Sequence, residues 1–168
     1  PFPPPLSLQT CLFKALRENA IKHYPDCTYK SLKEAIGHWH GIDPDMVLPG
    51  NGASELFTWA ARDAATHGIS GLPSPGFSDY ARALRCWGAA YTHLSLPLSW
   101  PSLKPQPFPL LPSTKVIWIT NPHNPTGQLW SRASIEPLLA KYALVICDEA
   151  FLPLVPDGER QSLLPLAE

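Results

Sequence analysis

No Cys-x-x-Cys pair occurs among the four cysteines, Cys11, Cys27, Cys86 and Cys147, so the spacing of a zinc site is absent. Charge of one sign is lacking too. Thirteen Lys and Arg stand against fourteen Asp and Glu, a formal net charge of -1, which leaves no electrostatic footprint for nucleic acid or an anionic membrane. No apolar run approaches the ~20 residues needed to span a bilayer, and no charged segment followed by a long apolar run opens the chain. These absences point to small-molecule partners and to a reducing cytoplasm as the expected compartment. Internal repeats are absent as well. At 168 residues, 45% of them hydrophobic, the chain has the length of about one domain and can bury a sizeable core. Cys147, inside the apolar run "ALVIC", reads as a small buried hydrophobe rather than a reactive thiol.

Proline is abundant, with 21 residues, but concentrated. Four lie in "PFPPP" and six in "PLSWPSLKPQPFPLLP", Pro97 to Pro112, which reads as an extended connecting loop. Elsewhere apolar spacing predicts helices. "SLQTCLFKALRENAIKHY" carries Leu8, Leu12, Ala15 and Leu16 on one stripe with Ser7 as N-cap, and Leu32, Ala35, Ile36 and Trp39 form a second stripe. "MVLPGNGASELFTWAARDAATHG" predicts a short extended piece, a Gly-rich turn and a third helix that stops at Gly68. Strand "GISGL", a helix from about Phe77 to Trp87, and strand "AAYTHLSL" follow. Beyond the proline loop come "KVIWIT", a helix from Ser131 to Tyr142 that contains Pro137, and "ALVIC". Apolar strands alternating with helices predict an α/β fold, three layers α/β/α around a mostly parallel sheet.

In such a sheet ligands gather beyond the carboxyl ends of the strands. Four segments reach that edge: "GNGAS", "PSPGF", "NPHNPTG" and "DEAF". Asn124 and Asp148 are separated by one helix and one strand, so they can crown strands about 4.8 Å apart, or about twice that if one intervenes. Each segment alone has a plain reading. Asn-Pro pairs mark turns, "GNGAS" is a turn and cap, Phe77 is a core aromatic, and Asp148 caps a strand end.

Together they carry a resemblance that runs from about Pro1 to Glu168. "NPHNPTG" matches NPxNPTG, and "VICDEAF" matches a hydrophobic strand ending in D-E-A-Y or D-E-A-F, with "GNGASEL" and "PGFSDYARAL" upstream. The chain resembles the large domain of the fold-type-I pyridoxal-phosphate enzymes, the class I/II aminotransferases. The resemblance implies pyridoxal 5'-phosphate as cofactor and an amino acid or phosphorylated amino acid as substrate. Asp148 would pair with the pyridine nitrogen and keep it protonated. Asn124 would bond the phenolic oxygen, and Phe77 would stack on the ring. Ala53 and Ser54 would hold the phosphate at a helix N-terminus. Tyr24, in a "YPD" segment, would reach the phosphate in a neighbouring subunit, which implies a homodimer.

Departures accompany the match. His123 occupies the variable position of NPxNPTG and reads as a loop residue. Phe151 replaces a tyrosine that often binds the phenolic oxygen. The family's Schiff-base lysine lies downstream of the DEA motif, and all seven lysines here precede Asp148. The expectation is therefore a fragment, with no catalytic residue of its own and that lysine expected beyond Glu168. Residues 1–45 would be an N-terminal arm with helices, and 46–168 the first part of the cofactor-binding domain. Within the family, "HYPDCTYKSLKEAI", "PGFSDYARAL" and "CDEAFLPLVPDGERQSLLP" resemble most the L-threonine-O-3-phosphate decarboxylases of cobalamin biosynthesis, with histidinol-phosphate aminotransferases as the alternative. A non-catalytic module of the same fold is a third reading. A nucleotide-binding NTPase would need GxxxxGK[ST] before "LVICDE", and no such segment occurs.

Overall fold

The computed structural model describes residues 3–98 and 104–167. Part of the expected proline-rich loop, residues 99–103, and the first two residues of "PFPPP" therefore lie outside the described residues. Two compact units divide the chain, Pro1–Pro49 and Gly50–Glu168.

The first unit contains α1 (Leu6–Arg17) and α2 (Lys30–His40). Ser7 does not cap α1 as expected. Pro5 occupies the N-cap position with an extended backbone, and its carbonyl accepts the first helical bond from Gln9 N at 3.2 Å, so Ser7 already lies inside the helix. Before the third helix the backbone is extended at Val47, with φ -90° and ψ 121°, but Met46 ends a turn that the spacing does not show. Asp43 Oδ1 accepts from Asp45 N at 2.9 Å, and this Asx turn with Pro44 bends the chain into a 3-10 turn, Pro44–Met46.

The second unit carries α3 (Ala53–His67), β1 (Ser70–Ser74), α4 (Ser78–Cys86), β2 (Tyr91–Ser95), β3 (Val116–Thr120), α5 (Arg132–Leu139) and β4 (Leu144–Asp148). The four strands are all parallel, in the order β2-β1-β3-β4. β3 is buried along its whole length, which is why "VIWIT" shows no polar alternation. Val116 and Trp118 face a cluster with Ala61 and Ala64 of α3 and Leu84 of α4. Ile117 and Ile119 face the opposite cluster, with Ile135 and Leu138 of α5. Those two clusters are the interfaces of a three-layer α/β/α unit. Full burial of each such side chain contributes roughly 1.5–3 kcal/mol.

α5 is shorter than its apolar spacing predicts. Pro137 sits inside it and supplies no N–H to the carbonyl of Ala133, one turn back. The chain closes instead with the Lys141 and Tyr142 N–H groups on Leu138 O, both at 3.0 Å.

Candidate functional site

β3 and β4 are direct neighbours, so no strand intervenes beneath Asn124 and Asp148. Thr120 and Asp148 are register partners at the carboxyl ends, and Asn121 N bonds Asp148 O at 2.8 Å. From α4, Tyr80 reaches over this edge. Its hydroxyl donates to Asp148 Oδ2 at 2.7 Å and lies 2.7 Å from Thr120 Oγ1. A phenol has one proton, so the Thr120 hydroxyl is the donor to Tyr80, and the chain of bonds runs Thr120 to Tyr80 to Asp148. Burial, reinforced by the hydrogen bond and charge of Asp148, pushes the Tyr80 phenol far above its ordinary range, so it stays a donor. The other carboxylate oxygen of Asp148 accepts Ala150 N at 3.0 Å. Asp148 is thus aimed from two sides while remaining half-buried.

The loop after β3 uses its two asparagines differently. Asn121 is fully buried and clasps the backbone of Trp130, Nδ2 to O at 3.0 Å and Trp130 N to Oδ1 at 2.8 Å. Asn124 is half-buried, and its side-chain amide has no hydrogen-bond partner among the described residues. The Asn121-Pro122 and Asn124-Pro125 bonds are cis, as is Ser74-Pro75 in the loop after β1. That second loop delivers Phe77, 38% exposed, with edge-on ring contacts to Phe57 and Tyr80. His123, expected as a loop residue, lies in the loop after β3 and is buried.

At the start of α3 the N-cap is Gly52, with φ 78°, and no side chain caps the helix. Ala53 and Ser54 are exposed there, so first-turn N–H groups are available to an anion. Arg82 of α4 donates to Ser54 Oγ at 2.9 Å, to Ser54 O at 3.1 Å and to Thr58 Oγ1 at 3.2 Å, and its Nε pairs with Asp79. Arg82, with help from Ser54, holds the Asp79 carboxyl below its usual range. One helix therefore connects the predicted residues: α4 follows Phe77, orients Asp148 through Tyr80 and grips Ser54 through Arg82.

Tyr80, Thr120, Asp79 and Arg82 were not among the residues singled out from sequence. The segment "PGFSDYARAL" contained the signal, because Phe77 and Tyr80 lie one helical turn apart and Arg82 follows on an adjacent face. Phe151 is exposed beyond Asp148. Glu149 belongs to the scaffold, accepting Ser162 Oγ at 2.6 Å and Leu163 N at 2.7 Å. Burial, then the neighbouring Glu149, raises the Cys147 thiol, which matches its reading as a hydrophobe. Tyr24 belongs to the first unit and is fully exposed. Among the described residues no group of His, Cys, Asp and Glu could hold a metal, and no helix is long and apolar enough to cross a membrane.

Residues 8–166 match the aminotransferase class I and II family. The chain belongs to that family. This aminotransferase-family chain is 33% identical to a protein assigned as threonine-phosphate decarboxylase from Caldanaerobacter subterraneus subsp. tengcongensis, over 98% of the chain and 46% of the relative. It is also 33% identical to histidinol-phosphate aminotransferase 3 of Mesorhizobium japonicum, over 94% of the chain and 43% of the relative. Among solved structures, histidinol-phosphate aminotransferase from Sinorhizobium meliloti in complex with pyridoxal-5'-phosphate has the same fold, with TM-score 0.69 and 18% identity over 92% of the chain and 43% of that protein. The chain thus spans less than half the length of the relatives it matches. The class I and II family uses pyridoxal phosphate, and the residues present fit that group. A held carboxylate, an amide with no hydrogen-bond partner among the described residues, an exposed aromatic ring and an uncapped helix N-terminus are the complements of a protonated pyridine, a phenolic oxygen, a ring face and a phosphate.

Proposed function

We propose that residues 46–168 are the first part of the cofactor-binding domain of a pyridoxal-phosphate enzyme acting at the Cα of an amino acid, with residues 1–45 as an N-terminal arm. The observation that carries this reading is Asp148 at the end of β4, oriented by Tyr80 and Ala150 N, with the loop of the neighbouring strand β3 carrying the Asn124 amide. When bound, pyridoxal phosphate supplies an electron-withdrawing ring that stabilises negative charge developing at Cα. Asp148 holds a proton on the ring nitrogen, and the neutral Tyr80 donor keeps the carboxylate aimed there. Asn124 donates to the phenolic oxygen, Phe77 covers a ring face, and Ala53 N, Ser54 N and Ser54 Oγ hold the phosphate. No lysine of this chain follows Asp148, so none takes the position of the lysine that carries the cofactor in this family. Consequently this chain alone forms no covalent adduct, and borohydride reduction with pyridoxal phosphate should label no single lysine stoichiometrically; specific labelling would overturn that assignment.

For the whole protein we propose L-threonine-O-3-phosphate decarboxylation in the cytoplasm, as a homodimer. Support comes from the first of the relatives above and from the resemblance of "HYPDCTYKSLKEAI" and "PGFSDYARAL". Histidinol-phosphate amino transfer is the second reading, favoured by a relative of equal identity. The two reactions differ in which Cα bond stands perpendicular to the ring, so carboxylate contacts decide between them. Carbon dioxide release from threonine phosphate by the full-length protein supports the first reading. Amino transfer from histidinol phosphate to 2-oxoglutarate, without that release, replaces it with the second.

A further inference from the structure

The variable position of the NPxNPTG match is occupied by a histidine that is only 3% exposed. Its Nε2 lies 2.7 Å from the carbonyl oxygen of Pro75, whereas Nδ1 is buried with no partner among the described residues. A carbonyl only accepts, so Nε2 carries the proton. Protonating Nδ1 as well would bury a charged N–H without an acceptor, which is strongly unfavourable. The side chain is therefore a neutral imidazole of one defined tautomer. His123 is itself fixed at the backbone: its N–H bonds Gln128 O at 2.8 Å, and its carbonyl accepts Gly127 N at 2.7 Å.

What the bond joins gives it meaning. Pro75 lies two residues before Phe77, and His123 lies immediately before Asn124. Among the described residues, the bond from Nε2 to Pro75 O is the hydrogen bond between residues 75–77 and residues 121–127. Phe77 is carried by a loop of high curvature: a Cβ built on Gly76 would stand 2.2 Å from Pro73 O, with His123 Cε1 3.9 Å away on the near side. The Phe77 loop is thus folded tightly onto itself and held from outside by His123.

We propose that His123 is a positioning residue of the cofactor cradle, its Nε2–H fixing the Phe77 loop to the Asn124 loop and so setting where the ring-covering aromatic stands relative to the amide. This rests on the reading that Phe77 and Asn124 face pyridoxal phosphate. The bond is direct and its acceptor is a backbone carbonyl, which does not ionise, so the joint keeps its geometry while the imidazole stays neutral.

The geometry supplies a discriminating pair of substitutions. A glutamine side-chain nitrogen can reach the place of Nε2, whereas an asparagine amide reaches only the place of Nδ1. On the intact protein, His123→Gln should keep pyridoxal phosphate affinity near wild type, and His123→Asn should weaken it about tenfold, the worth of roughly one hydrogen bond. Both are measured by calorimetry at a temperature where circular dichroism shows each variant folded. A merely space-filling role would treat the two alike, and equal affinities for the two variants would overturn the proposal. Should either variant fail to fold, long-range 1H-15N spectra of the wild-type imidazole decide. An Nε2–H neutral tautomer at pH 7 supports the proposal, and an Nδ1–H or doubly protonated ring overturns it. A wild-type protein that binds no pyridoxal phosphate would instead remove the functional reading, a different result from binding without a Gln/Asn difference.

Discussion

Tyr80 joins Thr120 to Asp148 within two bonds of 2.7 Å, and its removal tests whether the carboxylate is held by the scaffold or only resides there. Tyr80→Phe keeps the ring packing against Trp118 and Phe57 but leaves Thr120 Oγ1 buried and Asp148 short of a donor. Stability should fall by about 1.5–3 kcal/mol, typical for a bond to a charged group, and an unchanged urea midpoint would contradict the bond. His123 makes a second prediction, in pH. Burial lowers its pKa from the ordinary 6.5, so below that pH the unfolded chain binds a proton that the folded chain refuses. Its contribution is complete above pH 6.5 and is lost as pH falls toward the depressed folded value. Unfolding free energy followed from pH 8 to pH 5 should therefore drop more steeply for wild type than for His123→Gln; parallel curves would exclude the effect. Asp148 and Asn124 were legible in the sequence because two rigid motifs flank them. Tyr80 and His123 were not, since a buried tyrosine and a loop histidine acquire roles only through residues 68 and 48 positions away.

Among the elements, the strands were readable because a parallel sheet covered on both faces needs unbroken apolar runs, and "KVIWIT" and "ALVIC" are such runs. β1 lies slightly later than "GISGL" and includes Pro73, because its register against β2 is set by neighbours that sequence periodicity does not see. Helix ends were less legible, since proline geometry at Pro5 and Pro137 overrode the apolar period. The polar bridge that Arg82 adds to the apolar packing of α3 on α4 was not visible, because periodicity reads apolar side chains. Arg82 places a cation beside Ser54 while neutralising Asp79, so the pair sets the charge at the start of α3. Arg82→Met alone leaves the Asp79 carboxylate without its cation near the phosphate site proposed at Ser54, whereas Asp79→Asn with Arg82→Met removes the repulsion. The single variant should bind pyridoxal 5'-phosphate more weakly than the double, with a coupling of about 0.5–3 kcal/mol. Binding of pyridoxal, which lacks the phosphate, should change little in either. Equal losses for the two ligands would mean that the pair only supports the fold.

For the molecule as a whole, the first unit leaves much apolar surface uncovered. α1 buries none of its residues, and Leu6, Leu12, Phe13 and Trp39 are all exposed. In the second unit, among the described residues, β4 has a strand neighbour on one side only, next to an apolar hollow lined by Leu139, Val145, Leu163 and Leu166. Exposed apolar stripes and open sheet edges favour association, and the amphipathic spacing that made α1 legible as a helix could not say what covers its stripe. A second copy is the occupant that the homodimer reading requires. Sedimentation equilibrium should give a concentration-dependent dimer, and Phe13→Glu with Leu12→Glu should shift it toward monomer; a monodisperse wild-type monomer would count against the reading. Tyr24 then separates the dimer from mere aggregation. Its side chain is 100% exposed, so Tyr24→Phe should leave the thermal midpoint unchanged. If its hydroxyl reaches the phosphate held by the other copy, the same variant weakens pyridoxal phosphate binding by about tenfold or more, as for a hydrogen bond to a charged group. That loss should appear where the dimer forms and vanish below its dissociation constant; a loss independent of protein concentration would place Tyr24 in its own subunit's site.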